Sequence, residues 1–218
     1  MKHRPKIIAI LLGMFLITQF IGLYIVGHYN SEGNKLPYGL ETPKPEKSSE
    51  FYTLFTQIVL AFIIAIVLLI LLMKFKVEFF LRAWFFVVVA IALGLAFNAI
   101  ISDISSNLKY ISIIAIVIAL PLAFLKIYGR NIMVHNLTEL LIYPGIASVF
   151  DPILNVITVI IFLILISVYD IWAVWHSGIM QKMAGYQINK LHVFSGFFVP
   201  YVSKKLRGKM KKWKKLSK

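Results

Sequence analysis

Long apolar runs alternate with short polar breaks along this chain, and the runs are continuous rather than striped. Six of them cover roughly residues 7–26, 53–73, 83–101, 110–128, 132–150 and 153–175. Each is close to the ~20 apolar residues that an α-helix needs to cross a bilayer. A helix satisfies its backbone hydrogen bonds within one segment, so runs of this length in lipid read as spanning helices. The predicted fold class is therefore all-α, a polytopic membrane bundle of six transmembrane helices. It occupies residues 1–177, and 178–218 follow as a cytosolic amphipathic segment and basic tail. Short connections predict antiparallel packing between helices adjacent in sequence. The one long connection before the tail, 27–50, is rich in Pro, Gly, Ser, Lys and Glu. It reads as a solvated outer loop without a core of its own.

Several residues interrupt the apolar pattern. Pro121 in "IALPLAFLK" is expected to kink the fourth helix, and Pro144 with Gly145 in "LIYPGIASVF" the fifth. The fifth run opens on "NIMVHNLTELL", the most polar stretch of any span, where His135 and Glu139 stand four apart on one face. They read first as a mutually satisfied pair near the cytosolic interface, with a proton relay as the other chemistry that the spacing allows. Asn98 in the third run reads as a hydrogen-bonding group between helices.

Composition agrees with this picture: 60% of residues are hydrophobic and 15% are charged, against about 25% charged in soluble chains. The net charge of +14 raises the question of nucleic acid, and its placement answers it. With the N-terminus in the cytosol, nineteen of the 23 Lys and Arg residues fall on the cytosolic side, including Lys74, Lys76, Arg82, Lys126, Arg130 and everything from Lys182 onward. That is the positive-inside pattern, so the charge sets orientation and no nucleic-acid partner is expected. Both the N-terminus and the C-terminal tail are placed in the cytosol, the protein itself in the cell membrane. The tail from Lys204 carries nine basic residues in fifteen and suits anionic lipid. The start "MKHRPK" is followed by too long an apolar stretch for a signal peptide, and "VGHYNSEG" offers no cleavage site. There is no cysteine, which excludes disulfides and thiolate chemistry. Hydrolase elbows, metalloprotease helices and phosphate-binding loops are missing too, so no cofactor or metal is expected.

That leaves Asp170, in "IIFLILISVYDIWAVWHSG", as the one carboxylate read as lying well inside a span. A charge in hydrocarbon costs several kcal/mol and asks for a reason. If the sixth helix ends near Trp175, Asp170 lies about 7.5 Å below that end, at 1.5 Å per residue. Such a carboxyl suits acid–base chemistry, proton coupling or a structural bond to a neighbouring helix.

The stretch "ILISVYDIWAVW" resembles the sixth helix of presenilin-type intramembrane aspartyl proteases, most closely the archaeal homologues, with Tyr169 and Asp170 as the Tyr-Asp pair. "HNLTELLIYPGIASVF" is similar to their fifth helix and its turn into the sixth. The resemblance implies the first six helices of a nine-helix fold and a protease acting on transmembrane-helix substrates, with Asp170 as the first catalytic aspartate. Family members carry the second aspartate in a Gly-x-Gly-Asp motif on the seventh helix, and a Pro-Ala-Leu motif on the ninth. This sequence reads "KKLRGKMKKWKKLSK" at its end and holds neither. The resemblance thus covers two-thirds of a family member and half its active site. One aspartate cannot both activate water and protonate the scissile carbonyl, so this chain alone is expected to be inactive; a C-terminal partner or fragment supplying the second Asp, a longer chain of which this is a part, and an inactive paralogue are the open readings. After the sixth helix, Met180, Met183, Tyr186 and Leu191 are expected along an interfacial helix. The family likeness makes Val199, Pro200, Tyr201 and Val202 candidate substrate contacts, and a surface-lying linker is the other reading of that stretch. The competing functions are a proton-coupled transporter or channel component, and a non-catalytic membrane scaffold.

Overall fold

The structure, a computed structural model, describes residues 5–31, 34–40, 45, 48–75, 77–104, 110–129, 131–175, 178–191, 193 and 196–199. The described residues are helical between short connections, and no strand occurs among them. Among the described residues, six helices are long and apolar enough to cross a membrane. They are α1 (Pro5–Asn30), α2 (Ser48–Lys74), α3 (Glu78–Ile104), α4 (Ile111–Tyr128), α5 (Ile132–Phe150) and α6 (Val156–Trp175). A 3₁₀ turn, Asp151–Ile153, joins α5 to α6. A short α7 (Ile179–Tyr186) follows and runs into a π-turn, Gln187–Leu191.

The centre of the bundle is α3, which buries Val89, Ala90, Ala92, Leu93, Gly94, Leu95, Ala96, Asn98 and Ala99 in a single stretch. Small residues dominate because lipid tails are as apolar as any side chain, so helices gain by close backbone approach rather than by hiding hydrophobes. On α4 the stripe Ala115, Ala119 and Ala123, one residue every four, is fully buried. On α5, Gly145 lies directly against the Ala92 backbone of α3. Gly145 is thus a packing position, and α5 runs unbroken through it and Pro144, as α4 does through Pro121.

The most extensive packing joins α3 to α4, α1 to α5 and α3 to α5. Antiparallel packing of sequence neighbours therefore describes α3, α4 and α5, whereas α1 is carried past α2 to lie against α5 and α3. Its polar last turns explain this. Tyr24 donates to Asp103 at 2.6 Å, and the His28 ring lies 2.7 Å from the same carboxylate. Asn30 donates to Asp151 at 2.7 Å. The buried Tyr29 hydroxyl donates to the Leu95 carbonyl (2.8 Å) and to Asn98 (3.1 Å). Asn98 in turn donates to Ser112 of α4, the role that its sequence context predicts.

The loop after α1 is less free than its composition implies. Leu36 and Leu40 pack on the cluster of Ile25, Tyr29, Leu95, Ala96 and Ala99. Between them the chain turns with positive φ at Tyr38 and Gly39. Tyr38 is bulky for that conformation, and it is held by donating to the Ser112 carbonyl at 3.0 Å above Gly94. Burial pushes its phenol up to about 12.

By contrast α2 buries none of its described residues, and α6 buries only Thr158 and Ala173. These two helices meet through aromatic edges: Phe162 of α6 lies 6.2 Å from both Phe55 and Phe62 of α2. They form a peripheral pair beside the tight α1–α3–α4–α5 core.

Candidate active site

A reciprocal cap starts α6. The Asn155 side chain accepts from the Thr158 amide at 2.8 Å, and the Thr158 hydroxyl accepts from the Asn155 amide at 2.9 Å. This satisfies orphan N–H groups of the first turn. From there the helix is apolar apart from Ser167, Tyr169 and Asp170, and it ends at Trp175, so Asp170 sits five residues, or about 7.5 Å, from its end. The ring of Tyr169 stands edge-on to Phe62 of α2 at 6.2 Å and beside Trp172 at 6.4 Å. Seven residues after Phe162, Tyr169 continues the face that meets α2. The next residue, Asp170, is turned by about 100° from that face and is exposed. No hydrogen bond or ion pair joins its side chain to any other described residue. The tie to a neighbouring helix, one of the roles open to Asp170 from sequence, has no counterpart among the described residues.

A second carboxylate lies far deeper in protein than Asp170. Glu139 of α5 is 2% exposed, which corrects the reading of Asp170 as the sole carboxylate well inside a span. Its partner is Lys126 of α4, at 2.5 Å, with both side chains almost fully buried. His135 stands 3.8 Å from Glu139 and 3.4 Å from the Lys126 ammonium. The pair expected from four-residue spacing is thus the edge of a larger cluster whose main bond crosses to α4. Nothing in the pattern of α4 marks Lys126 as buried, because a lysine at the end of a span ordinarily reaches for the interface.

The same face of α5 holds the chain beyond α7. Gly196 donates its amide to Glu139 at 3.2 Å, and its carbonyl lies 2.8 Å from the His135 ring. Asn136 makes two bonds to Phe198, donating to the carbonyl at 2.9 Å and accepting from the amide at 2.8 Å. Phe197 sets its ring 6.3 Å from Tyr143. Upstream, Leu191 and Val193 are buried in the α3–α4–α5 core, with Tyr186 packed beside them. The expected interfacial stripe is accordingly turned inward at Leu191, and Arg82 of α3 donates to the Lys190 carbonyl at 2.7 Å. The Tyr186 phenol is raised by burial and by the charge of Glu78. Val199 is half-buried at the end of this stretch. Pro200, Tyr201, Val202 and the basic tail lie outside the described residues.

No group of three or more potential metal ligands occurs among the described residues. The other carboxylates with described partners are occupied structurally: Asp103 by Tyr24 and His28, Asp151 by Asn30, Glu139 by Lys126. A family model for "signal-peptide peptidase, presenilin aspartyl protease" matches residues 12–204. No curated protein and no solved structure matches the chain.

Proposed function

From the premise that this chain belongs to the signal-peptide peptidase and presenilin aspartyl protease family, we propose that Asp170 is the first catalytic aspartate of an intramembrane protease. The observation that carries the reading is the state of Asp170: an exposed carboxylate within an apolar span, with no partner among the described residues. Lipid is a costly neighbour for such a group, so it is matched to a water-lined cleft and a second carboxyl. The second aspartate comes from outside residues 1–218, on a segment that seats beside α6. Two carboxyls a few ångströms apart cannot both ionise, so the pair shares one proton. The ionised member takes a proton from the attacking water, while the protonated one donates to the scissile carbonyl oxygen. The packing of Tyr169 against Phe62 sets the rotation of α6 and thereby the direction of Asp170. Substrates are single transmembrane helices, unwound near the cleavage point and paired in extended form with residues around Val199.

The test restores the segment bearing the second aspartate and measures cleavage of a helical membrane substrate in liposomes. Asp170→Asn abolishes cleavage while leaving the helical fold intact, since the amide has nearly the same shape and no charge to bury. A well-folded, active Asn variant would remove Asp170 from the chemistry.

A further inference from the structure

We infer that the polar face of α5 is a clasp: His135, Asn136 and Glu139 hold residues 196–198 by their backbone and fix the register in which the next residues meet a substrate. This deepens the proposed reading of the Val199 region as a pairing strand and rests on it. Four bonds run from this face to the described segment, and they go to its backbone, two on Gly196 and two on Phe198, each residue giving both its amide and its carbonyl side. Residues two apart in an extended chain point their backbone groups the same way. The α5 side chains therefore stand where a neighbouring strand would stand, on one edge of the segment. By the same alternation the backbone groups of Phe197 and Val199 belong to the other edge, and among the described residues no hydrogen bond engages them. That edge fits an added extended peptide, as in strand augmentation.

Register is what such a clasp controls. A slip of one residue would turn the opposite set of backbone groups toward the peptide. Slipping is opposed from the upstream side. Leu191 and Val193 are anchored in the core, and the Val193 amide donates to the Gln187 carbonyl at 3.1 Å. Gly196, with φ of 121°, makes the corner into the clasp, a conformation open to glycine and closed to most side chains. The clasp is in turn fixed to α4, because Lys126 bonds the same carboxylate oxygen that accepts from Gly196. His135, Asn136 and Glu139 are positioning residues in this account, acting on the substrate through the segment they hold.

Amide hydrogen exchange on the full chain in nanodiscs tests the clasp without any proteolysis. The Gly196 and Phe198 amides are expected to be protected in the parent. Asn136→Ala accelerates exchange at Phe198 at least tenfold and leaves the α3 and α4 amides unchanged. Asn136→Asp keeps the acceptor for the Phe198 amide but not the donor for its carbonyl, and gives an intermediate value. Phe198→Pro removes the donor from the segment side without touching α5, and frees the Gly196 amide. An unprotected Phe198 amide in the parent, or equal acceleration across α3, α4 and α5 in Asn136→Ala, overturns the clasp. A second arm uses the protein completed with its second aspartate. There Asn136→Ala shifts or spreads the cleavage positions and raises KM more than it lowers kcat, and unmoved positions overturn the register role. A completed protein that cleaves nothing defeats the proteolytic reading, while the exchange arm still decides the clasp.

Discussion

Adding one methyl group at Gly145 should separate the two central helices. A Cβ built there lies 2.0 Å from the Ala92 carbonyl oxygen and 2.8 Å from its carbon, both backbone atoms that no rotamer change can move. Ordinary contact begins at 3.4 Å, so α5 must withdraw from α3 by about 1.4 Å, an overpacking of the kind that costs ~1–3 kcal/mol. The damage spreads along α3, because α1 packs on both helices and its Tyr29 hydroxyl is bonded to Leu95 and Asn98 of α3. Gly22 of α1 supplies the control, since nothing lies within 4 Å of a Cβ built on it. There Gly→Ala gains helix propensity of up to about 1 kcal/mol. Unfolding of Gly145→Ala and Gly22→Ala by SDS titration in mixed micelles should separate the two variants by about 2 kcal/mol, with Gly145→Ala below the parent. Equal stability of the pair, within about 0.5 kcal/mol, would refute the close approach and the reasoning built on it.

Removing either charge of the Lys126–Glu139 pair, as Lys126→Met or Glu139→Gln, is expected to cost about 3–5 kcal/mol by leaving the other buried and uncompensated. The double variant should cost much less than the two single losses together, and additive losses in that cycle would show the pair to be uncoupled. The orientation that the basic residues imply places the Lys126 end of the bundle in the cytosol. Single cysteines at Ser49 and Ser203 should then label from opposite faces, Ser203 from the cytosolic one. Labelling of both from one face would remove the arrangement.

The sequence makes the six spans legible because length and apolarity alone decide them. Their observed bounds mostly extend the apolar runs into polar flanks such as Glu78 and His28. Asn98 is legible as well, since a lone amide in a span has little else to do than bond another helix. What could not be read is which face of each helix is inside. In water an apolar stripe marks the buried side, but in lipid both sides are apolar, and the mark passes to small residues such as Ala92, Ala119 and Gly145. Gly145 beside Pro144 reads as a kink, and its packing role goes unmarked for that reason. Lys126 stayed hidden because its long stem allows a lysine at that depth to reach water equally well. The docking of Gly196 and Phe198 was invisible in principle, because it uses backbone groups that every sequence possesses. Asp170 stands out in the sequence by its chemistry, and its exposure is the part that only the structure supplies.

The ties at the end of α1 also set a timetable for biogenesis. Asn30 finds Asp151 across 121 residues of chain, and His28 finds Asp103 across 75. At the ~5–20 residues per second of translation, the first helix spends on the order of ten seconds in the membrane before its last partner is made. The wait is tolerable because of where its needs lie. Tyr24, His28, Tyr29 and Asn30 all fall in the final two turns, next to the bilayer surface, where water can serve them in the interim. Most of the remaining length of α1 presents apolar side chains such as Phe15, Phe20 and Leu23 outward, and they need no protein partner. Moving those four polar residues two turns inward would leave the architecture unchanged on paper and strand the nascent helix with unmet hydrogen bonds until α5 arrived.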